Sequence, residues 1–204
     1  MAPPWVEKFA VPATTTLDSQ LPPPEHALKL EYCVHAEHER TLTVVGEQLP
    51  RYVIKRIAKL GGAWGDVCQI YSPADGGREV GSLDFHSIPP SIEIVLAKDG
   101  RKRKIKTLMA VREYEAIHGV GSLHWKATGM EAYGSASWEL RSSTDLILIA
   151  SINDNQTRGY ISLYKKDLEE AVIEELLVVG IAQIEEYKRF LRVSKRSLFV
   201  AMLP

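Results

Sequence analysis

The chain has 204 residues, of which 45% are hydrophobic and 25% charged. That is the composition of a globular protein long enough to bury roughly 70% of its extended surface without a disulfide or metal staple. Twenty-five Lys and Arg against 26 Asp and Glu leave a net charge of -1, which excludes the long-range positive field of a general nucleic-acid binder. No residue set in the sequence names a reaction.

Only two cysteines occur, Cys33 and Cys68, without CxxC spacing, so a secreted disulfide framework or a zinc ribbon is not expected. One bridge between them and two buried free thiols both remain open. The N-terminus has no basic segment followed by an apolar one, and the longest apolar run, 176–184, is broken by Gln183 at about half a bilayer span. A cytoplasmic protein without a cofactor is the expectation, with peripheral membrane attachment open.

Residues 1–27 form a proline-rich segment holding six of the eleven prolines, each without the N–H that a helix or ladder needs. It reads as an extended arm in which Trp5, Val6, Phe9 and Val11 dock on the domain, or as a disordered tail. From residue 28 the punctuation is that of short strands, at 28–35, 40–45, 52–57, 67–71, 79–86 and 92–97. Asp99-Gly100 joins the last of these to 101–108 and is the strongest hairpin signal in the chain. Strands at 123–127, 135–140, 146–152 and 160–164 complete the series. Ten or so strands at even spacing predict an antiparallel barrel or sandwich.

The pattern then changes once. Residues 167 to about 192 contain no proline and one glycine, Gly180, with Glu169, Glu170, Glu174 and Glu175 at the start and Lys188, Arg189 and Arg192 at the end. That charge order suits a helix dipole. The stretch between covers every side of a 3.6-residue wheel with apolar side chains, so a helix there must be enclosed on all sides. A sheet closed around a central helix at about 168–190 satisfies this. A buried strand over 176–179 followed by a shorter helix is the other reading, since Val178-Val179 favours strand. Residues 193–204 read as an apolar tail with Leu198, Phe199, Val200, Met202 and Leu203.

Three local features resemble the tubby C-terminal-like barrels, which include the LURP-one-related and phospholipid scramblase-like proteins. One is Leu123-His124-Trp125-Lys126 followed by Trp138-Glu139-Leu140-Arg141 and the apolar strand at 146–150. The second is Gly159-Tyr160-Ile161-Ser162-Leu163, similar to a last strand before the helix. The third is the run from Glu174 to Ala182 with the charged exit Glu185-Glu186-Tyr187-Lys188-Arg189. The resemblance spans about residues 30–190. It implies a mainly β fold, a closed antiparallel barrel of about twelve strands around a central hydrophobic helix. It implies no enzyme activity by default, and a link to phosphoinositides or membranes. The proline-rich arm and the tail depart from the pattern.

The most concrete chemical feature is the basic run Lys98, Arg101, Lys102, Arg103, Lys104 and Lys106 on the 92–108 hairpin, opposed only by Asp99. By alternation Arg101, Arg103 and Ile105 share one face and Lys102, Lys104 and Lys106 the other. Anionic lipid is the partner such a cluster attracts. The same lysines also keep an edge hairpin from pairing with other chains. The absence of aromatic residues in the run argues against nucleic acid. His35 and His38 with Glu37 and Glu39 have a metal-like spacing, yet it is a helix spacing on what reads as a strand connection; no metal is expected. Asp84 with His86, and His124 with Glu139, are weak acid–base candidates. The strings Gly61-Gly62-Ala63-Trp64-Gly65 and Gly119-Val120-Gly121 lack a following helix and fail as dinucleotide loops.

The leading reading is a non-enzymatic tubby-like barrel that touches anionic lipid or phosphoinositide through the hairpin. The alternative is a small-molecule-binding barrel or cyclisation-type enzyme with a mouth lined by Trp125, Trp138, His124 and Glu139; a cavity above about 300 Å³ with convergent polar groups favours it. A third reading is an interaction module that self-associates through the terminal segments.

Overall fold

The computed structural model describes residues 26–59, 65–87, 90–98, 100–106, 112–131 and 134–201. The arm over 1–25, the 61–64 part of the glycine string, Asp99, Leu108, Met202 and Leu203 lie outside them.

Among the described residues twelve strands form one antiparallel sheet. They are β1 (Leu28–Ala36), β2 (Glu39–Val44), β3 (Tyr52–Ala58), β4 (Gly65–Ser72), β5 (Arg78–Ser87), β6 (Pro90–Leu96), β7 (Lys102–Lys106), β8 (Arg112–Glu115), β9 (Ser122–Met130), β10 (Ala136–Arg141), β11 (Leu146–Ile152) and β12 (Arg158–Leu163). The order is β7-β6-β5-β4-β3-β2-β1-β12-β11-β10-β9-β8. Every neighbour but one is a chain neighbour, and the exception, β1 against β12, joins two meanders in register from Leu28↔Leu163 to Cys33↔Arg158. Strand β3 alternates cleanly: Tyr52, Ile54 and Arg56 point inward while Lys55 and Ile57 point out. This period-2 pattern fixes which face becomes the core.

One helix follows, α1 (Glu170–Ala201). Twelve consecutive residues, 174–185, are buried. That is more than three turns, so every side of the helix is covered. The strand alternative for 176–179 is therefore overturned, because the all-round apolar run is satisfied as helix. The sheet reaches α1 from both of its meanders. A Cβ at Gly81 in β5 would lie 3.4 Å from Val178, and one at Gly180 would lie 3.1 Å from Ile161 in β12 and 3.5 Å from Leu148 in β11. Gly180 thus lies close against β11 and β12, where a side chain would press on Ile161 and Leu148, and this close packing offsets its weak helix propensity.

Two expectations need correction. The sheet is not closed into a barrel by hydrogen bonds: β7 pairs only with β6 and β8 only with β9 among the described residues. Closure needs a β7–β8 ladder, and none is present there. The helix also runs to Ala201 rather than about 190, so the backbone of the expected apolar tail is helical as far as that residue. Strand β8 is an addition, because Arg112-Glu113-Tyr114-Glu115 carries one apolar residue in four and gives too short a pattern to read.

Antiparallel connectivity sends alternate turns to opposite ends. The β4–β5 and β8–β9 turns meet the start of α1: Arg78 bonds Glu174 at 2.6 Å, and Glu175 accepts from the backbone N–H groups of Ile117 and His118. The β9–β10 connection meets its later part, where Tyr187 donates to the carbonyls of Glu131 and Gly134. No described helix is long and apolar enough to cross a membrane.

Candidate functional site

The hairpin forms as the sequence predicts. β6 and β7 pair from Ser91↔Lys106 to Val95↔Lys102. Leu96 N–H donates to the Arg101 carbonyl at 3.0 Å, and Gly100 takes φ of 64°. A left-handed turn position of this kind favours glycine. Opposed residues share a face, so Arg103, across from buried Ile94, occupies a core-facing position at the rim, whereas Lys102 and Lys104 occupy outward ones. Lys98, Arg101, Lys102, Arg103 and Lys104 are all exposed. Lys102 Nζ lies 3.5 Å from Glu93, and Arg101 Nη1 donates to the Ile117 carbonyl at 3.4 Å. The second of these draws the hairpin turn toward the β8–β9 turn across the open ends of the sheet. Lys106 is placed through its backbone alone, opposite Ser91.

Beside the hairpin turn, at the same end, lies a cleft of about 370 Å³ lined by Asp75, Arg78, Glu79, Lys98, Glu170 and Glu174. Arg78 crosses its floor, bonded to Glu174 at 2.6 Å and Asp75 at 3.0 Å. The hydrogen bond to Glu174, first, and that to Asp75 hold its guanidinium well above the ordinary range against the opposing effect of burial.

The expected mouth is not assembled. Trp125 and Trp138 face the core; Trp138 meets the Tyr187 ring edge-on, with centroids 5.2 Å apart. His124 and Glu139 occupy the opposite face of the same strands, because alternation separates neighbours across the sheet. Glu139 accepts from Arg141 Nε at 2.7 Å. Inside, between the open ends, the structure shows a crevice of about 10 Å³ touching Ile92, Ile94, Tyr114, Trp125 and Val179, room for about one water. Asp84 and His86 do come together on the outer face of β5, at 3.8 Å. There Lys59 Nζ lies 2.6 Å from both Asp84 oxygens, so the carboxylate is paired with an ammonium. His35 lies 2.7 Å from the Thr41 hydroxyl, and no group of three metal-type side chains occurs among the described residues. Both cysteines are free thiols, Cys68 buried and Cys33 half-buried.

A buried polar network around the later part of α1 was not legible beforehand. Glu185, 1% exposed, accepts from Tyr32 OH and from Arg40 Nε at 2.8 Å. Lys188 Nζ donates to Tyr32 OH at 3.0 Å and lies 3.8 Å from Glu185. Beside it, Asp66 accepts from Arg56 and Arg192, each at 2.9 Å. Burial alone would raise the Glu185 carboxyl, but Lys188, Arg40 and the Tyr32 hydroxyl outweigh it and hold it below its ordinary value. Burial, with Arg40 and Arg192 adding to it, pulls the Lys188 amine down from 10.5 to about 8 against the attraction of Glu185. Burial pushes the Cys68 thiol far up. The one signal available was Glu185 and Lys188 at i,i+3 spacing, directly after an all-apolar run.

Comparison of the chain with protein-family models, curated proteins and solved structures finds no match in any of the three.

Proposed function

We propose that this protein is a tubby-like barrel, its sheet completed around α1 by contacts across the β7–β8 seam, that docks on anionic lipid through the β6–β7 hairpin. The observation that carries the reading is the exposure of Lys98, Arg101, Lys102, Arg103 and Lys104 on one turn and edge strand. Near a negatively charged bilayer each such cation contributes about 1 kcal/mol. In a protein of net charge -1 the attraction is local, so it sets an orientation as well as an affinity. Among the described residues the crevice between the open ends holds about 10 Å³, which supports a binding role over an enzyme acting inside the barrel.

Sedimentation with phosphatidylcholine vesicles, with and without phosphoinositide, tests this. Binding should require the anionic lipid and disappear when Lys102, Arg103 and Lys104 are changed to Glu. Binding that survives those changes, or is absent from the start, defeats it.

The cleft of about 370 Å³ beside the hairpin turn supports a second reading, a small polar ligand held between Arg78, Lys98, Glu79 and Glu170. It has the size of a ligand site and carries both signs of charge. Native mass spectrometry of protein from its own source should then show a retained mass that is lost in Arg78→Ala.

A further inference from the structure

We propose that the β2–β3 turn is a second membrane contact, placing Val45 and Leu49 in the interfacial layer of an anionic bilayer next to the basic hairpin. The inference rests on the lipid reading above and adds to it an apolar anchor and the end of the molecule that faces the surface.

Five large hydrophobic side chains are exposed among the described residues: Val45, Leu49, Ile57, Tyr160 and Val193. A lone exposed aliphatic needs no explanation. Here, however, no other turn among the described residues carries two, and Leu49 is the most exposed of the five at 79%. The turn is held rather than loose. Val45 N–H donates to the Lys29 carbonyl at 3.0 Å, Glu47 N–H to Val44 at 2.9 Å and Arg51 N–H to Leu42 at 2.8 Å. Gly46 supplies the left-handed position with φ of 97°. The backbone therefore presents Leu49 to solvent by design of its hydrogen bonds.

Placement completes the case. The β2–β3, β4–β5 and β6–β7 turns lie at one end of the sheet, alternating with the turns at the other end, so the first and third stand about 20 Å apart at two strand spacings per step. Arg51 on the first acts electrostatically on Asp75 of the second, and the second shares the cleft with Lys98 of the third. Asp75 and Glu174 are taken up by Arg78. Glu79 and Glu170 line the cleft between the two tips, while Glu47 is the one acid on the apolar turn. Charge attraction alone is screened at cellular salt; durable interfacial attachment combines it with buried apolar side chains. The two turns supply one component each.

The test uses the full chain with phosphatidylcholine vesicles containing or lacking phosphatidylserine. Leu49→Asp should bind the anionic vesicles roughly tenfold or more weakly than the parent, with unchanged thermal unfolding. In Leu49→Trp, brominated anionic lipid should quench fluorescence beyond the parent's own tryptophans. If the parent binds and the hairpin charge reversal abolishes binding, but Leu49→Asp binds normally and no extra quenching occurs, this inference fails and the lipid reading stands. If the parent binds no vesicle, both fail. A parent that self-associates, is dispersed by Leu49→Asp and ignores vesicles places a second copy on the turn and overturns the proposal.

Discussion

Changing Lys188 to Met should alter how stability depends on pH. The Lys188 amine is enclosed by Tyr32 of β1, Arg40 of β2, Cys68 of β4, and Glu185 and Arg192 of α1, and it titrates near 8 rather than 10.5. Between those values the unfolded chain holds the proton that the folded chain has released, so this group makes stability rise with pH. Fully developed, one proton gives about 1.4 kcal/mol per pH unit, so from about pH 7 to about pH 9 Lys188 contributes roughly 1.3 kcal/mol. Other buried groups run the opposite way. The thiols of Cys33 and Cys68 lie above their ordinary 9.0, and the Tyr32 and Tyr114 hydroxyls above 10.0. The unfolded state therefore loses those protons first, and their contribution falls as pH rises over the same range. The difference between the parent and Lys188→Met should therefore grow by roughly 1.3 kcal/mol across this range, and Lys188→Met itself should decline. Urea unfolding of both proteins across the range reads this, because the cysteine and tyrosine contributions cancel in the difference. A parent-minus-variant difference that stays constant with pH shows that the amine is not held as described.

Glu185→Gln should cost about 3–5 kcal/mol by denaturant unfolding, since it leaves Arg40 and Lys188 buried without their anion; a loss under 1 kcal/mol means the network rearranges freely. Two glycines should not tolerate a side chain. A Cβ at Gly65 (φ of 105°) would lie 1.7 Å from the Phe85 carbonyl oxygen, and one at Gly159 would lie 2.1 Å from that of Ser151. Gly65→Ala and Gly159→Ala should each lose about 2–4 kcal/mol, and a melting temperature within error of the parent contradicts the close backbone approach.

What the sequence made legible follows from the range of the interactions involved. The strands and the basic hairpin are written in local alternation and in Asp99-Gly100, and the enclosed helix in a run with no polar side. Long-range partnerships left no such trace. Tyr32 and Glu185 are 153 positions apart, and nothing near either marks the other. His124 and Glu139 looked like neighbours of Trp125 and Trp138, as they are in the chain. Alternation then puts adjacent residues on opposite faces, so closeness in sequence was the reason the pairing failed. Strand β8 escaped for a related cause: Tyr114 is its only apolar side chain, and it is ordered by a bond to Glu175, 61 positions away.

That bond ties one end of the sheet to the helix. Among the described residues no β7–β8 ladder is present, and β8 is held through α1 instead. Glu175 accepts from Tyr114 OH and Ile117 N–H, both at 2.6 Å, from His118 N–H at 2.9 Å, and lies 2.8 Å from His118 Nδ1. One turn of helix thus holds both β8 and the turn after it. Glu175→Ala strips the partners from these groups and should cost about 3 kcal/mol overall, but the loss should be local. Amide exchange in β8 and β9 should accelerate strongly, while β1, β2 and β12, bonded on both sides, should exchange only as fast as the lowered global stability requires. If protection falls evenly across all twelve strands, β8 is held by something other than the helix, and the strut role assigned to Glu175 is wrong.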